Sequence, residues 1–279
     1  MGLGRLLYVA LCAALLSTAG CNRVDTSQEP DAPSRPTNAE PARDGSAGRI
    51  PADSSAPANR GMVVRRLSGR AFVIDDFGAV PTGNPAEVVR QLEAQARGGD
   101  ANASYGIFLK INECLAVSKR AAQGLQSRVN PDVVMACRQL AADDAAKSAE
   151  WLSLAAEQGN VSAQLLYASD PESVLGDSSE ILRDPDRAKE YKAKAIDYLR
   201  SAANQGSVDA LMRLANAYDV GVLASRDPVS SLAYFNAVGM VDPSLVPQKQ
   251  VEMLRQSMDA GQLASSLKQG EGIYGSCCR

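Results

Sequence analysis

The chain has 279 residues, with 29 Lys and Arg against 32 Asp and Glu and a formal net charge of −3. Nucleic-acid-binding proteins usually carry a basic face, so this balance argues against that class. The sequence has no histidine, which excludes Ser-His-Asp and Cys-His catalysis and any histidine-ligated zinc or haem. Catalysis would have to use carboxylate, Lys, Tyr, Ser or Cys side chains.

The first 20 residues have the pattern of a secretory signal peptide. Arg5 precedes an apolar run at residues 6–16, which is too short for a membrane span, since a spanning helix needs about 20 residues. Small residues at 17–20 then lead to Cys21, and small side chains are expected before a signal-peptidase cut. We therefore predict a signal peptide over residues 1–20.

Cys21, directly after these small residues, resembles the lipobox cysteine of bacterial lipoproteins, which is acylated and becomes the new N-terminus. The resemblance implies a lipid anchor at Cys21, and an ordinary secretory signal is the alternative. Asn22 is not the aspartate associated with retention in the inner membrane. The resemblance therefore favours the periplasmic face of the outer membrane over an inner-membrane anchor or a soluble periplasmic protein.

Residues 21–61 predict a disordered tether behind this anchor. The segment is rich in Pro, Ser and Ala and has almost no large apolar side chain, Val24 and Ile50 being the exceptions. Such a stretch cannot bury enough surface to offset its ordering entropy.

Residues 62–84 follow as a short extended lead-in with two apolar stretches. Arg65, Arg66 and Arg70 lie between these stretches, either as a contact for anionic lipid or glycan or as an ordinary solvated face.

Residues 85–262 contain an internal repeat, which is visible when three segments are aligned on Gly99, Gly159 and Gly206. A leucine stands seven residues before each glycine, and alanines stand three residues before and four after. These positions are Leu92, Leu152, Leu199, Ala96, Ala156, Ala203, Ala103, Ala163 and Ala210. A fourth, degraded copy keeps only Leu254 and Gly261.

Each repeat unit predicts two helices joined by a tight turn. Glycine ends the first helix, because the position after a helix favours left-handed φ. The next residue is Asp100, Asn160 or Ser207, each a good N-cap for a second helix. The alanines allow the two helices to approach closely, and such a pair needs neighbours to cover its apolar face.

The sequence Ala-Ala-Glu-Gln-Gly-Asn at 155–160 resembles the signature turn of the Sel-one-like repeat, a relative of the tetratricopeptide repeat. Leu214, Tyr218 and Gly221 keep the family's downstream spacing in the third copy. The resemblance implies an all-α fold, a right-handed α-solenoid of stacked antiparallel helix pairs. Because the glycines lie further apart than the family's unit, we expect inserted loops at 117–142 and 169–184, and a C-terminal tail at 263–279.

Four cysteines remain after the signal and the lipid site. An exported protein meets oxidising conditions, so we predict a Cys114–Cys137 disulfide, with Cys114 at the end of a first helix and Cys137 in the first insertion; two buried free thiols are the alternative. Cys277 and Cys278 are adjacent. They leave open a vicinal disulfide, a bridge to another chain, a link back to the fold or a redox role.

Other candidate chemistry is sparse. The acidic pairs Asp75-Asp76 and 143–144 lack the spacing of a calcium loop, and we interpret the second pair as a helix start. Trp151, Tyr198 and Phe235 are interpreted as core packing, with a carbohydrate platform as the alternative. We predict no catalytic residue, metal or cofactor.

Two functional hypotheses follow. The first is a non-enzymatic scaffold, anchored in the envelope, whose stacked helices bind an envelope protein or peptide; the Sel-one-like resemblance implies such adaptor roles. The second is a cell-wall hydrolase that uses Asp or Glu as acid and base. Neither involves nucleic acid.

Overall fold

The computed structural model of the chain describes residues 61–125 and 129–279. The predicted signal peptide, the lipid site at Cys21 and the tether through residue 60 lie outside these ranges. The described residues form a hairpin followed by a series of helices: β1 (Val63–Arg66), β2 (Phe72–Asp76), α1 (Pro85–Arg97), α2 (Ala101–Ala122), α3 (Pro131–Cys137), α4 (Ala142–Ala146), α5 (Ser148–Glu157), α6 (Val161–Ser169), α7 (Glu172–Leu175), α8 (Ser178–Arg183), α9 (Pro185–Asn204), α10 (Val208–Val220), α11 (Pro228–Val241), α12 (Gln248–Gln256) and α13 (Ala260–Cys277).

The predicted helix pairs are confirmed for the first three copies. Gly99, Gly159 and Gly206 have φ values of 103°, 92° and 100°, and they stand between α1 and α2, α5 and α6, and α9 and α10. The predicted caps also form. The Asp100 carboxylate accepts from the backbone N–H of Ala103, and Asn160 and Ser207 accept from the equivalent alanines.

The alanines on both sides of each turn lie in one continuous hydrophobic core. Four of the six have no exposed surface, and Ala103 and Ala203 are 2% and 4% exposed. Leu152 and Leu199 are also fully buried. Small side chains at these crossings let successive helices approach closely, which larger residues would prevent.

Glutamine side chains link successive turns. Gln158 donates from Nε2 to the carbonyl of Ala96 at 2.7 Å, one copy earlier. Gln205, at the same position of the third copy, donates to the carbonyl of Gly159 at 3.4 Å. Each glutamine therefore bonds to a carbonyl of the preceding copy's turn region, Ala96 in the last turn of α1 and Gly159 in the turn after α5.

The expectation that Gly261 marks a fourth turn is wrong. Gly261 lies inside α13, and the turn falls three residues earlier, at Ser257 and Met258. Asp259 fixes this start, because it forms a capping box with Gln262. Val251, seven residues before Met258, is 3% exposed and takes the place of the leucine.

The insertions contain short helices as well as loops. α2 continues to Ala122, so the first insertion begins later than residue 117 and holds α3 and α4. Cys114 consequently lies within α2, not at its end as expected, since no glycine stops the helix there. α6 ends at Ser169 and α9 begins at Pro185, so the second insertion, with α7 and α8, has the predicted bounds.

The extended lead-in pairs as an antiparallel hairpin that packs on the third turn. The Phe72 N–H donates to the Gly206 carbonyl at 2.9 Å, and the Ile74 N–H donates to Asp209 at 2.9 Å. On its other side, the Arg70 N–H donates to the Cys278 carbonyl at 2.9 Å. The hairpin therefore connects the third turn to the end of α13.

Most of the segment 263–279, expected to be a tail, is helical, since α13 continues to Cys277. A Cβ at Gly270 would lie 2.8 Å from the carbonyl oxygen of Ala233, so α13 packs closely on α11 at a point where only glycine fits. Within the described ranges, no helix is both long enough and apolar enough to cross a membrane.

The hairpin contact makes two similar glycines differ in their tolerance of a methyl group. A Cβ at Gly159 would meet nothing within 4 Å, whereas one at Gly206 would lie 2.5 Å from the Arg70 carbonyl oxygen. Gly159→Ala should lower the free energy of unfolding by about 1–2 kcal/mol, through backbone strain alone. Gly206→Ala should cost at least about 1 kcal/mol more, because the hairpin must also move. Urea titration of both variants would measure this difference, and equal losses would contradict the packing of the hairpin on this turn.

Candidate functional site

A trough runs between α5 and the first half of α9, and we call it the α5–α9 groove. Its volume is about 400 Å³. The lining residues are Ala149, Glu150, Ser153, Leu154, Glu157, Tyr167, Val174, Leu175, Arg187, Glu190, Tyr191 and Lys194.

The α5 wall follows from the helical spacing of its residues. Glu150, Ser153 and Glu157 lie along one face, while Trp151 and Leu152 are buried on another. A helix with this division packs its apolar face on the core and presents its polar face to the groove.

The α9 wall is built in the same way. Arg187, Glu190, Tyr191 and Lys194 are spaced at i, i+3, i+4 and i+7, which places them on one face of a helix. Asp184 caps this helix through the Arg187 N–H. α9 has 20 residues and α5 has 10, so the first half of α9 extends towards the second insertion. Sequence inspection did not single out this wall, although the spacing of its residues was visible.

Tyrosines from α6 and α9 form the floor together with apolar residues of α7. The rings of Tyr167 and Tyr191 stack with centroids 5.2 Å apart, and Tyr198 meets Tyr167 edge-on at 4.9 Å. The Tyr191 hydroxyl donates to the Tyr167 carbonyl at 2.8 Å, which holds α9 against α6. Val174 and Leu175 complete the floor, so the second insertion is part of the site.

The floor is uncharged at neutral pH. Burial raises the pKa of Tyr167 above its ordinary value of 10, and the negative charge of Glu157 adds to this shift. Burial likewise raises the pKa of Tyr191 and Tyr198. All three hydroxyls are therefore protonated, and those of Tyr191 and Tyr198 donate within the fold, to the Tyr167 carbonyl and to Glu157. Tyr167 and Tyr191 are only 3% and 4% exposed, so the floor is a packed one.

The ionic groups of the walls are unevenly paired. Lys194 lies 3.4 Å from Glu157 in an exposed ion pair, and Arg187 donates to the carbonyl of Val174 at 2.9 Å. Lys194 is therefore paired with a carboxylate, whereas the carbonyl orients Arg187 without neutralising its charge. Glu150 and Glu190 are exposed and form no salt bridge with any other residue in the described part of the chain.

A second hollow of about 520 Å³ adjoins the groove. Ala149 and Val174 line both, and α7 lies between them. Its charged lining residues are Lys119, Asp170, Glu172 and Asp177, so acidic side chains also predominate there.

The other candidate residues lie apart from the groove or in the core. Asp75 faces Arg65 at 3.6 Å on the hairpin, and residues 143–144 lie in the first turn of α4. Trp151 and Phe235 are buried. Tyr198 packs on the floor through Tyr167, as core packing predicts.

The cysteines form two disulfides. Cys114 and Cys137 are bonded with their Cα atoms 5.1 Å apart. Glu113 lies beside them and would complete a three-ligand cluster, but sulfurs bonded to each other are not thiolate ligands. Cys277 and Cys278 are bonded to each other and buried, so the vicinal disulfide is the alternative present, and a redox role stays an untested alternative.

Within residues 61–125 and 129–279, the carboxyl groups with a lowered pKa are Asp177, Asp227 and Asp242. The first cause in each case is a hydrogen bond from a serine hydroxyl, from Ser179, Ser230 and Ser244 respectively. All three are N-caps. A glycosidase general acid requires the opposite shift, so these groups have the properties of structural caps.

Among solved structures, the chain is similar to one with a related helical architecture. It is a protective antigen present in uropathogenic Escherichia coli strains, described as displaying an SLR fold. The identity is 18% and the TM-score 0.39, and the match covers 71% of this chain and 43% of that chain. This chain therefore spans less than half the length of that protein. No protein-family model matches the chain, and no curated protein matches it.

The Cys114–Cys137 bridge should hold α3 in place, because α3 itself has no buried residue. Replacing both cysteines by alanine opens a loop with a sequence separation of 23, which corresponds to about 3 kcal/mol of unfolding free energy. Hydrogen exchange should show α3 losing its protection while α9 keeps its own under native conditions. Unchanged protection of α3 and an unchanged free energy would show that packing alone holds the insertion.

Proposed function

We propose that the chain is a non-enzymatic scaffold that binds a segment of another envelope protein in the α5–α9 groove. The observation that carries this proposal is the groove itself: two helical walls with exposed polar faces over an aromatic floor. The wall from Ala149 to Glu157 is about 12 Å long at the rise of an α-helix. That length accommodates three or four residues of an extended peptide.

The properties of the groove favour peptide binding over catalysis of hydrolysis. Half-buried apolar side chains such as Leu154 lie there beside exposed charged ones, as in protein interfaces with an apolar centre and a polar rim. The hydrolase alternative requires a carboxyl group that burial keeps protonated near neutral pH, whereas the carboxylates that line the groove, Glu150, Glu157 and Glu190, are exposed to solvent.

Photo-crosslinking in whole cells tests the scaffold. A benzophenone amino acid at Ser153, inside the groove, should capture one dominant protein partner. The same residue at Lys268, exposed on α13, is the matched control and should not capture it. Recovery of the same proteins from both positions, or of none from Ser153, would contradict binding in the groove.

We further propose that a lipid on Cys21 holds this scaffold at the periplasmic face of the outer membrane. Diacylglycerol together with an N-acyl chain anchors firmly, whereas one chain alone binds only marginally. Cys21→Ser should move the protein out of the detergent-extracted membrane fraction and leave its melting temperature unchanged. A variant that stays in the membrane fraction would show that another element attaches the protein.

A further inference from the structure

The charges of the α5–α9 groove indicate the chemistry of its occupant. The walls carry Glu150 and Glu157 from α5, and Arg187, Glu190 and Lys194 from α9; α6 and α7 contribute no charged lining residue. Lys194 is paired with Glu157, and Arg187 is oriented by the Val174 carbonyl but keeps its charge. Three carboxylates against two cations leave the groove with a net negative charge. The carboxylates that remain available for a ligand are Glu150 and Glu190, one on each wall.

We infer that the groove binds a peptide segment bearing a Lys or Arg side chain, whose cationic group lies between Glu150 and Glu190 over the tyrosine floor. This inference rests on the proposed scaffold function and names the partner's chemistry. The partner segment is basic, and it is recognised by its charge together with an aliphatic stem.

The apolar lining supports the same occupant. The stem of a Lys or Arg side chain packs on apolar surface while its charged end stays with polar groups. Ala149 and Leu154, which line the groove and are half-buried, supply that surface above the buried tyrosines.

The adjoining hollow also favours a basic peptide, because acidic side chains predominate in its lining. A chain that leaves the groove past α7 meets Asp170, Glu172 and Asp177 against a single cation, Lys119. Asp170 and Asp177 are partly committed to local hydrogen bonds with Ser173 and Ser179. Glu172 is exposed. An acidic peptide would meet like charge in both hollows, and like-charge contacts discriminate against wrong partners.

Binding of short charged probes to the full chain tests the inference. Acetylated pentalysine amide should bind with an affinity that falls as salt is raised, because exposed ion pairs are screened, and pentaglutamate should not bind. Glu150→Gln with Glu190→Gln should weaken pentalysine binding by roughly three- to tenfold. Glu252→Gln with Glu271→Gln is the matched control, since it removes the same charge from exposed sites on α12 and α13, and it should leave the affinity unchanged.

The outcomes separate this inference from the scaffold itself. Equal weakening by the two double variants would mean that pentalysine responds only to net charge, and it would overturn the basic-segment inference. Capture of a partner from Ser153 through a segment without Lys or Arg would also overturn it, while leaving the scaffold intact. Weaker pentalysine binding in the groove variant alone, together with a crosslinked segment that contains Lys or Arg, would support both.

Discussion

The close approach of helices at the glycine turns is the contact on which the rest of the structure depends. Alanines on both sides of Gly159 and Gly206 are almost fully buried, so the helices that meet there are separated by little more than methyl groups. Because α5 and α9 stand at equivalent positions before these two turns, the turns also fix the distance between the walls of the groove. The site is therefore a consequence of repeat packing.

Insertions are tolerated because they are placed away from these contacts. Both insertions are placed at the helix ends opposite the turns. The second adds α7 and α8 without changing the turn at Gly159. What it adds is functional surface, since Val174 and Leu175 lie on the floor of the groove. The hairpin has another role: it hydrogen-bonds to the third turn through Phe72 and to the end of α13 through Arg70.

The sequence predicts the features that local chemistry determines. A glycine, a residue suited to N-capping directly after it and flanking alanines all fall within nine residues of sequence. The first three turns were predicted from this local pattern. The fourth was misplaced because its turn has Met258 where the others have glycine, while Gly261 lies inside a helix. The groove depends on which helices meet across the second insertion, a tertiary property that periodicity alone does not give. Its α9 wall was nevertheless visible as a polar face at helical spacing.

Replacing a buried alanine at one glycine turn by a larger residue tests most directly how much the close helix contacts there matter. Ala203 and Ala193 both lie in α9, but Ala203 is buried beside the Gly206 turn and Ala193 is exposed. If the small residues at the turns set the helix spacing, Ala203→Leu should lower the free energy of unfolding by about 1–3 kcal/mol. Ala193→Leu should change it by less than about 0.5 kcal/mol. Equal free energies of unfolding for the two variants in urea titrations would contradict the account.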